Sequence, residues 1–210
     1  TEPDKRRFEE FAPATRSILE SSPSFYITTT TQRTTNTSMT AIKSLSQSSL
    51  DLEETIKRVM DEAKQLMNAN RSTLWLIDRD RQELWTKITL DNGSTKELRV
   101  PMGKGFVGQV ASTGKILNIP FDLYDNPDSD TAKQIDRSNG YRTCSLLCMP
   151  VFNGDKQLIG VTQLVNKKNK NQSPAYNPED WPKAPQCFQA SFDRNDEQFM
   201  EAFNIQAGVA

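Results

Sequence analysis

Three glycines with the spacing of a phosphate-binding turn are the first feature of this chain that could do chemistry. Gly103, Gly105 and Gly108 form the pattern G-x-G-x-x-G, in which a tight turn opens a helix whose first amide groups can hold an anion. The pattern lies in no strand–helix–strand unit with an acidic residue about 20 positions on, as a dinucleotide site requires. Residues 130–132 mark a second predicted helix start. Two such starts at one sheet edge would form a seat for a phosphate.

The cysteines are the second candidate, and the lack of histidine limits what they could do. The sequence contains three cysteines, Cys144, Cys148 and Cys187, and no histidine, which excludes Ser-His-Asp and Cys-His catalysis and histidine-ligated metals. Cys144 and Cys148 share one face of a predicted strand, and Arg142 could lower the pKa of the Cys144 thiol. Apolar neighbours favour inert packing instead. We therefore predict no catalytic residue, no metal site and no cofactor.

Composition and charge narrow the class of protein. The 210 residues carry 26 Lys and Arg against 27 Asp and Glu, a net charge of −1, which argues against a nucleic-acid or membrane-surface binder. No run approaches the roughly 18 apolar residues of a membrane span. The sparse, odd set of cysteines suits a reducing cytoplasm. Only 35% of residues are apolar, so part of the chain should lie outside the packed core.

Hydrophobic periodicity predicts the elements that must position these groups. The predicted strands are Ser72–Asp78, Glu83–Leu90, Lys96–Pro101, Ile116–Ile119, Ser145–Phe152 and Leu158–Lys167, and the predicted helices are Phe106–Thr113, Asp130–Ser138 and Asp193–Val209. Lys168–Ser191 is polar and rich in proline, which predicts an inserted loop. The sum is an α+β fold, an antiparallel sheet flanked by helices.

A seam of apolar positions precedes the sheet. It steps alternately by three and four residues through Ile42, Leu45, Ser49, Leu52, Ile56, Val59, Ala63 and Leu66. This spacing predicts an amphipathic helix, and it leaves open whether that helix covers the sheet or forms the seam of a coiled-coil dimer.

The first fifty residues differ from the rest of the chain. Thr28–Thr40 is polar and threonine-rich, which is typical of a linker. Asp4–Phe11 resembles Asp196–Phe203, which suggests that the chain begins with the closing helix of a preceding, similar domain. We predict that closing helix over residues 1–21, a linker and connecting helix over 22–49, and the folded domain over 50–210.

A split motif gives the sequence its family resemblance. Asn166-Lys167 and, after a gap, Phe192-x-x-x-Asp196-Glu197 reproduce the pattern N-K-x(n)-F-x(3)-D-E. With it the chain resembles the GAF domains of tandem cyclic-nucleotide-binding proteins, the mammalian phosphodiesterases and the cyanobacterial adenylyl cyclases. The resemblance extends to Arg71–Asp78, Gly105–Gly114, Asn118–Pro120, Gly140–Thr143 and Ile159–Lys167. It implies the GAF fold, preceded by a long connecting helix.

The resemblance also implies a ligand site. In that family a small ligand lies on the sheet beneath a lid, which here would comprise the Phe106 helix, the loop Phe121–Pro127 and the Asp130 helix. The implied contacts are Arg71 and Thr73 at the base, Phe106 and Val107 as backbone groups and apolar wall, Thr131 and Ala132 at the cyclic phosphate, Asp136, Asn139 and Thr143 on the ribose or lid side, and Gln163 from the sheet floor. Relatives often carry Thr and Glu in place of Asn139 and Gln163. The motif residues Asn166, Lys167, Phe192, Asp196 and Glu197 are implied to support the fold, with a Lys167–Asp196 salt bridge away from the ligand.

By the same resemblance the chain is expected to be regulatory rather than catalytic. It would bind a cyclic purine nucleotide, cAMP in preference to cGMP, and pass the signal as a homodimer to a downstream catalytic domain, a nucleotide cyclase by the same comparison. Relatives that favour cGMP carry Asp just after the second strand, where this chain has Leu90, although Asp91 follows directly. Two alternatives stay open: a ligand-free dimerisation module, and a thiol-dependent free methionine sulfoxide reductase.

Overall fold

The computed structural model describes residues 52–89, 93–169 and 175–209. The predicted closing helix over 1–21, the linker and connecting helix over 22–49 and the seam positions before Leu52 lie outside these residues. The two positions at the end of the second strand that bear on base preference, Leu90 and Asp91, also lie outside them.

Helices on both faces of an antiparallel sheet make up the described part of the chain. In chain order the elements are α1 (Leu52–Leu66), β1 (Ala69–Asp78), β2 (Glu83–Thr89), β3 (Thr95–Pro101), α2 (Gly105–Thr113), β4 (Leu117–Ile119), α3 (Asp130–Asn139), β5 (Leu146–Phe152), β6 (Leu158–Lys167) and α4 (Arg194–Val209). The six strands lie in the order β3-β2-β1-β6-β5-β4, and neighbouring strands are antiparallel. The predicted α+β architecture is confirmed.

The first strand is longer than its sequence pattern indicates. β1 begins at Ala69 rather than at Ser72, because Ala69 and Arg71 pair with Lys167 and Val165 at the end of β6. The extension matters for the site, since it places Arg71 inside the sheet rather than in a loop before it.

Each face of the sheet has its own apolar cluster. We call the face covered by α1 and α4 the α1–α4 face and the opposite one the α2–α3 face. The α1–α4 cluster includes Val59, Met60, Ala63, Leu147, Met149, Leu164, Met200 and Phe203. The α2–α3 cluster includes Trp75, Leu84, Val107, Val110, Leu123, Leu146, Cys148 and Val161.

The apolar seam positions at the end of α1 belong to the α1–α4 cluster. Val59 is 3% exposed and Ala63 is fully buried, and Leu66 packs against the same residues. For these positions the sheet-cover interpretation is confirmed. A dimer seam would have to use positions nearer the start of the chain.

The segment predicted as an inserted polar loop has a small apolar core of its own. It forms short 3-10 turns at Pro178–Asp180 and Gln186–Phe188. Phe188 is 1% exposed and stacks on Tyr176, with ring centroids 5.4 Å apart. Both rings pack on Tyr141, just after α3. The segment is therefore docked on the domain, which its polar composition did not indicate.

Candidate functional site

Three of the predicted contact residues lie together on the α2–α3 face. Thr73 of β1 is paired with Gln163 of β6, and Arg71 is paired with Val165. Because side chains alternate along a strand, Arg71 and Thr73 share the face of Trp75, which belongs to the α2–α3 cluster. Thr73 and Gln163 are partly exposed although their strands are central in the sheet. They form an open polar floor in an otherwise apolar face.

Arg71 lies at one end of this floor. Its guanidinium carbon is 3.5 Å from the centroid of the Tyr141 ring, a cation–π contact. Tyr141 is itself held in place, since its hydroxyl donates to Asn70 Oδ1 at 2.8 Å. Within the described ranges Arg71 forms no ion pair. Its exposed N–H groups are therefore available to a ligand.

The covering elements approach this floor from α2 and α3. On α2, Val107 is 5% exposed and Phe106 packs partly buried against the same cluster. On α3, Ala132 also packs against that cluster, while Thr131 is exposed. The bond from Lys133 N to Ser129 O, 2.9 Å long, starts the helical ladder. The amides of residues 130–132 precede it and can bind an anion.

Asp136 and Thr143, both predicted on the ribose or lid side, bind each other. The Asp136 carboxylate accepts from Thr143 N at 2.6 Å and from Thr143 Oγ1 at 2.8 Å, and the Tyr124 hydroxyl donates to it at 2.9 Å. Burial raises the pKa of Asp136 despite these donors. Burial and the nearby Asp136 charge raise the pKa of Tyr124 to about 12. Asn139 is exposed at the end of α3. Its role and those of the other predicted contacts remain predictions.

Arg142, which the sequence indicated only as a neighbour of Cys144, connects several of the segments around the floor. The Arg142 side chain is 4% exposed and donates to Asp122 Oδ2 and to the carbonyl of Pro182 at 3.1 Å. Its guanidinium carbon lies 3.3 Å from the centroid of the Tyr124 ring. One side chain thus connects the loop before α3, the inserted segment and the segment before β5. The G-Y-R-T run at Gly140–Thr143 was the available signal, but the burial of Arg142 was not readable from it.

The split motif forms two contacts at the start of α4. Lys167 Nζ lies 2.7 Å and 2.8 Å from the two carboxylate oxygens of Asp196. Glu197 accepts from Asn118 Nδ2 at 2.6 Å, and the same amide donates to the carbonyl of Phe192. Because α4 covers the α1–α4 face, these contacts lie across the sheet from Arg71, Thr73 and Gln163.

Asn166 holds the segment before β5 in place. Its Oδ1 accepts from Cys144 N at 2.6 Å, and its Nδ2 donates to Tyr141 Oη at 2.9 Å and to Arg142 O at 2.8 Å. Asn166 is fully buried. These hydrogen bonds offset the free-energy cost of burying its polar amide. Its φ of 58° breaks the regular alternation of side chains along β6. The side chain of the next residue, Lys167, contacts Asp196 of α4.

Packing accounts for the glycine pattern. Gly103 has φ of 85°, which favours glycine, and its amide donates to Gly108 O at 2.9 Å. A Cβ on Gly108 would lie 2.6 Å from the carbonyl oxygen of Pro101. Close contact between β3 and α2 therefore explains these glycines without a phosphate.

The cysteines are placed differently from the prediction. Cys144 precedes β5 and packs with Tyr141 and Phe188, whereas Cys148 lies within β5 in the α2–α3 cluster, so the two do not share a strand face. Burial raises the pKa of Cys144 to about 12 and also raises the pKa of Cys148 and Cys187. Such thiols are neutral near pH 7 and are poor nucleophiles.

Over the described ranges, no cluster of three or more Cys, Asp or Glu could hold a metal ion, and no helix has the length and apolar character to cross a membrane.

Comparisons with known proteins agree on the family. The family model for the GAF domain matches residues 51–210. The chain is 36% identical over 117 residues to the dual 3′,5′-cyclic-AMP and -GMP phosphodiesterase 11A of Takifugu rubripes, a match that covers 51% of this chain and 13% of that protein. It is 30% identical over 172 residues to a probable 3′,5′-cyclic phosphodiesterase, pde-5, of Caenorhabditis elegans, covering 77% of this chain and 20% of that protein. The chain thus spans a fifth or less of the length of these relatives.

Solved structures share the fold at low identity. The GAF domain of a phosphoenolpyruvate-protein phosphotransferase from Coxiella burnetii matches with a TM-score of 0.61 and 16% identity, over 84% of this chain and 92% of that one. The free methionine-R-sulfoxide reductase of Neisseria meningitidis matches with a TM-score of 0.54 and 16% identity, over 88% of this chain and 92% of that one. At such identities the likeness shows the fold alone.

Proposed function

The chain belongs to the GAF domain family, and we propose that it is a regulatory module that binds a 3′,5′-cyclic nucleotide, cAMP in preference to cGMP. The observation that carries the proposal is the polar floor of Arg71, Thr73 and Gln163 on the α2–α3 face. Two relatives named as cyclic-nucleotide phosphodiesterases support the class of ligand. The split motif supports it as well, because Lys167 and Asp196 form the salt bridge that the resemblance implies.

The chemistry of the floor suits a purine nucleotide. The guanidinium of Arg71 only donates hydrogen bonds, whereas the hydroxyl of Thr73 donates or accepts. Adenine offers N1 as an acceptor beside the N6 amino donor, which matches such a pair. Guanine offers an N1–H donor and an exocyclic amine on the corresponding edge, which need an acceptor that Arg71 is not, so Arg71 could meet only the O6 or N7 of guanine. The free amides at the start of α3 would meet the cyclic phosphate, with the positive end of the helix dipole.

Regulation would follow from ordering the cover over the ligand. Binding that favours a closed arrangement of α2 and α3 shifts the population of conformers by its differential affinity for that arrangement. We propose that the shift passes through the connecting helix of a homodimer, in the cytoplasm, to a downstream catalytic domain such as a nucleotide cyclase. No nucleic acid, membrane, metal or resident cofactor is required by this proposal.

The other two functions have less support. The raised thiol pKa values of Cys144, Cys148 and Cys187 argue against a cysteine-based sulfoxide reductase. A ligand-free dimerisation module would use the same seam as the proposed homodimer, but it would leave the polar floor of Arg71, Thr73 and Gln163 without a function.

Native mass spectrometry of the freshly purified chain tests the proposal. We expect a dimer in which part of the population carries the added mass of cAMP, removed by mild denaturation and restored by adding cAMP. A folded dimer that takes up no cyclic nucleotide would support the dimerisation module. Turnover of free methionine sulfoxide with a thiol reductant would support the reductase.

A further inference from the structure

A hydrogen bond joins Gln163 of the polar floor to a tryptophan of the apolar α2–α3 cluster and fixes the orientation of the Gln163 amide. Trp75 Nε1 donates to Gln163 Oε1 at 2.9 Å. The two residues are diagonal neighbours on adjacent strands, since Trp75 is paired with Val161 and Gln163 with Thr73. Trp75 is 8% exposed and is packed in the α2–α3 cluster, so the position of its indole is set by the core.

The indole decides which end of the amide faces the site. An indole N–H is a donor only, so the atom of Gln163 that meets it must be the carbonyl oxygen. The Gln163 amino group, Nε2, is then the end that stays free. Among the described residues, no acceptor lies within hydrogen-bond distance of Nε2. This nitrogen is also not one of the buried side-chain atoms that lack a partner. Gln163 therefore presents an N–H donor to the space above the floor.

We infer that Trp75 is a positioning residue that makes Gln163 a hydrogen-bond donor to the ligand, and that this selects a ligand with an acceptor at that point. The inference rests on the proposed function and adds to it the hydrogen-bonding polarity of the site. Together with Arg71, Gln163 gives the floor a second donor that cannot act as an acceptor. A purine ring nitrogen, a carbonyl oxygen or a phosphate oxygen of the ligand can accept from Gln163 Nε2. An amino or N–H group of the ligand at that point would place two donors against each other.

A double-mutant cycle tests the inference by calorimetric titration with cAMP. Gln163→Met keeps the length of the side chain and removes its amide, and we expect it to weaken binding roughly 5- to 30-fold, the scale of one lost hydrogen bond in a partly buried site. Trp75→Phe frees the Gln163 amide to rotate, with an expected loss of about 3- to 10-fold. In the Gln163→Met background Trp75→Phe should have no further effect. Trp85→Phe, which changes a tryptophan of the adjacent strand, is the matched control and should leave affinity unchanged.

A second variant keeps Trp75 intact and so avoids any loss of core packing. In Gln163→Glu one carboxylate oxygen still accepts from Trp75, but the other offers an acceptor where the amide offered a donor. We expect Gln163→Glu to bind cAMP more weakly than Gln163→Met does, because a carboxylate oxygen would then face the ligand acceptor that the Gln163 amide meets. In relatives that carry Glu at this position, the inference requires the ligand to present a donor there instead. Equal or tighter binding by Gln163→Glu would overturn the inference, as would an equal effect of Trp75→Phe in both backgrounds. A folded parent protein that binds no cyclic nucleotide would instead remove the proposed function, and the inference with it.

Discussion

The carboxylate of Asp196 binds Lys167 and caps helix α4 at the same time. Its oxygens lie 2.7 Å and 2.8 Å from Lys167 Nζ, and Oδ2 also accepts from the backbone N of Asp193 at 2.9 Å. Asp193 Oδ1 accepts in return from Asp196 N at 3.0 Å, which completes a capping box. The motif therefore joins the end of β6 to the first turn of α4, and the two partners should contribute unequally to stability.

We predict that Asp196→Ala destabilises the chain more than Lys167→Ala. Asp196→Ala removes the capping bond and leaves a lysine whose side chain is 14% exposed without its partner, at an expected cost of about 3–5 kcal/mol. Lys167→Ala leaves Asp196 its backbone donors and the helix dipole, so the expected cost is about 2 kcal/mol. Urea denaturation measures both. Equal losses would show that the cap contributes nothing. Lys64→Ala, at a more exposed ion pair on α1, is the control and should change the free energy of unfolding little.

The second prediction concerns Arg142. Arg142→Ala leaves the Asp122 carboxylate and the Pro182 carbonyl without their buried donor, and we expect a loss of about 3–5 kcal/mol in the free energy of unfolding. Arg142→Lys keeps the charge but cannot donate in several directions from one plane, so it should rescue only part of the loss. Amide exchange should rise in residues 121–127 and 178–188 while α1 stays protected. Uniform deprotection across the domain would contradict the assigned role of Arg142 as a local connector.

Arg99→Ala is the matched control for that experiment. Arg99 also contacts carboxylates, those of Asp78, Glu83 and Glu97, but it does so at the solvent-facing edge of the sheet. Exposed ion pairs contribute little to stability. We therefore expect no local rise in amide exchange near the inserted segment in this variant.

Local patterns account for what could be predicted, and long-range contacts for what could not. Alternation and turn residues placed every strand, because each strand carries its own signal. The extension of β1 to Ala69 depends on pairing with Lys167, almost a hundred residues away. The floor residues Arg71 and Gln163 could be identified as ligand contacts only through the family resemblance. Trp75 looked like an ordinary core residue, since the bond to Gln163 forms only when β1 and β6 pair. Phe188, in a polar segment, is buried by Tyr141, and nothing near it in the sequence indicates that contact.

The third prediction is a pH dependence that comes from Asp136. Burial raises the pKa of this carboxyl above the ordinary 3.8, so the folded state binds its proton more tightly than the unfolded state does. The stability that this group contributes is full below pH 3.8 and is lost as pH rises through the raised native pKa. Asp136→Asn removes this pH dependence because the amide does not titrate. It also lowers the free energy of unfolding by about 1–3 kcal/mol at every pH, because its hydrogen bonds to Thr143 and Tyr124 are misplaced. The difference in unfolding free energy, variant minus parent, should rise across this window and then level off. A difference that falls with pH would mean that the donors outweigh burial.

The fourth prediction is that the buried thiols are unreactive in the folded protein. Burial raises the pKa of Cys144 to about 12, and Cys148 is fully buried, so neither should react with a thiol-specific reagent at pH 8. Both should react at once in urea. Cys187 is partly exposed and should react slowly in the native state. Rapid native labelling of Cys144 would contradict the placement of its side chain and reopen thiol chemistry.

Calorimetric titration of ligand-free, refolded protein with cAMP, cGMP and 5′-AMP is the most direct test of the central proposal. The expected result is saturable binding of cAMP, weaker binding of cGMP by roughly 5- to 150-fold, the scale of one unmet buried hydrogen-bonding group, and no measurable binding of 5′-AMP. Equal or tighter binding of cGMP would contradict the assigned base preference. No binding of either cyclic nucleotide by the folded protein would contradict the proposed function itself.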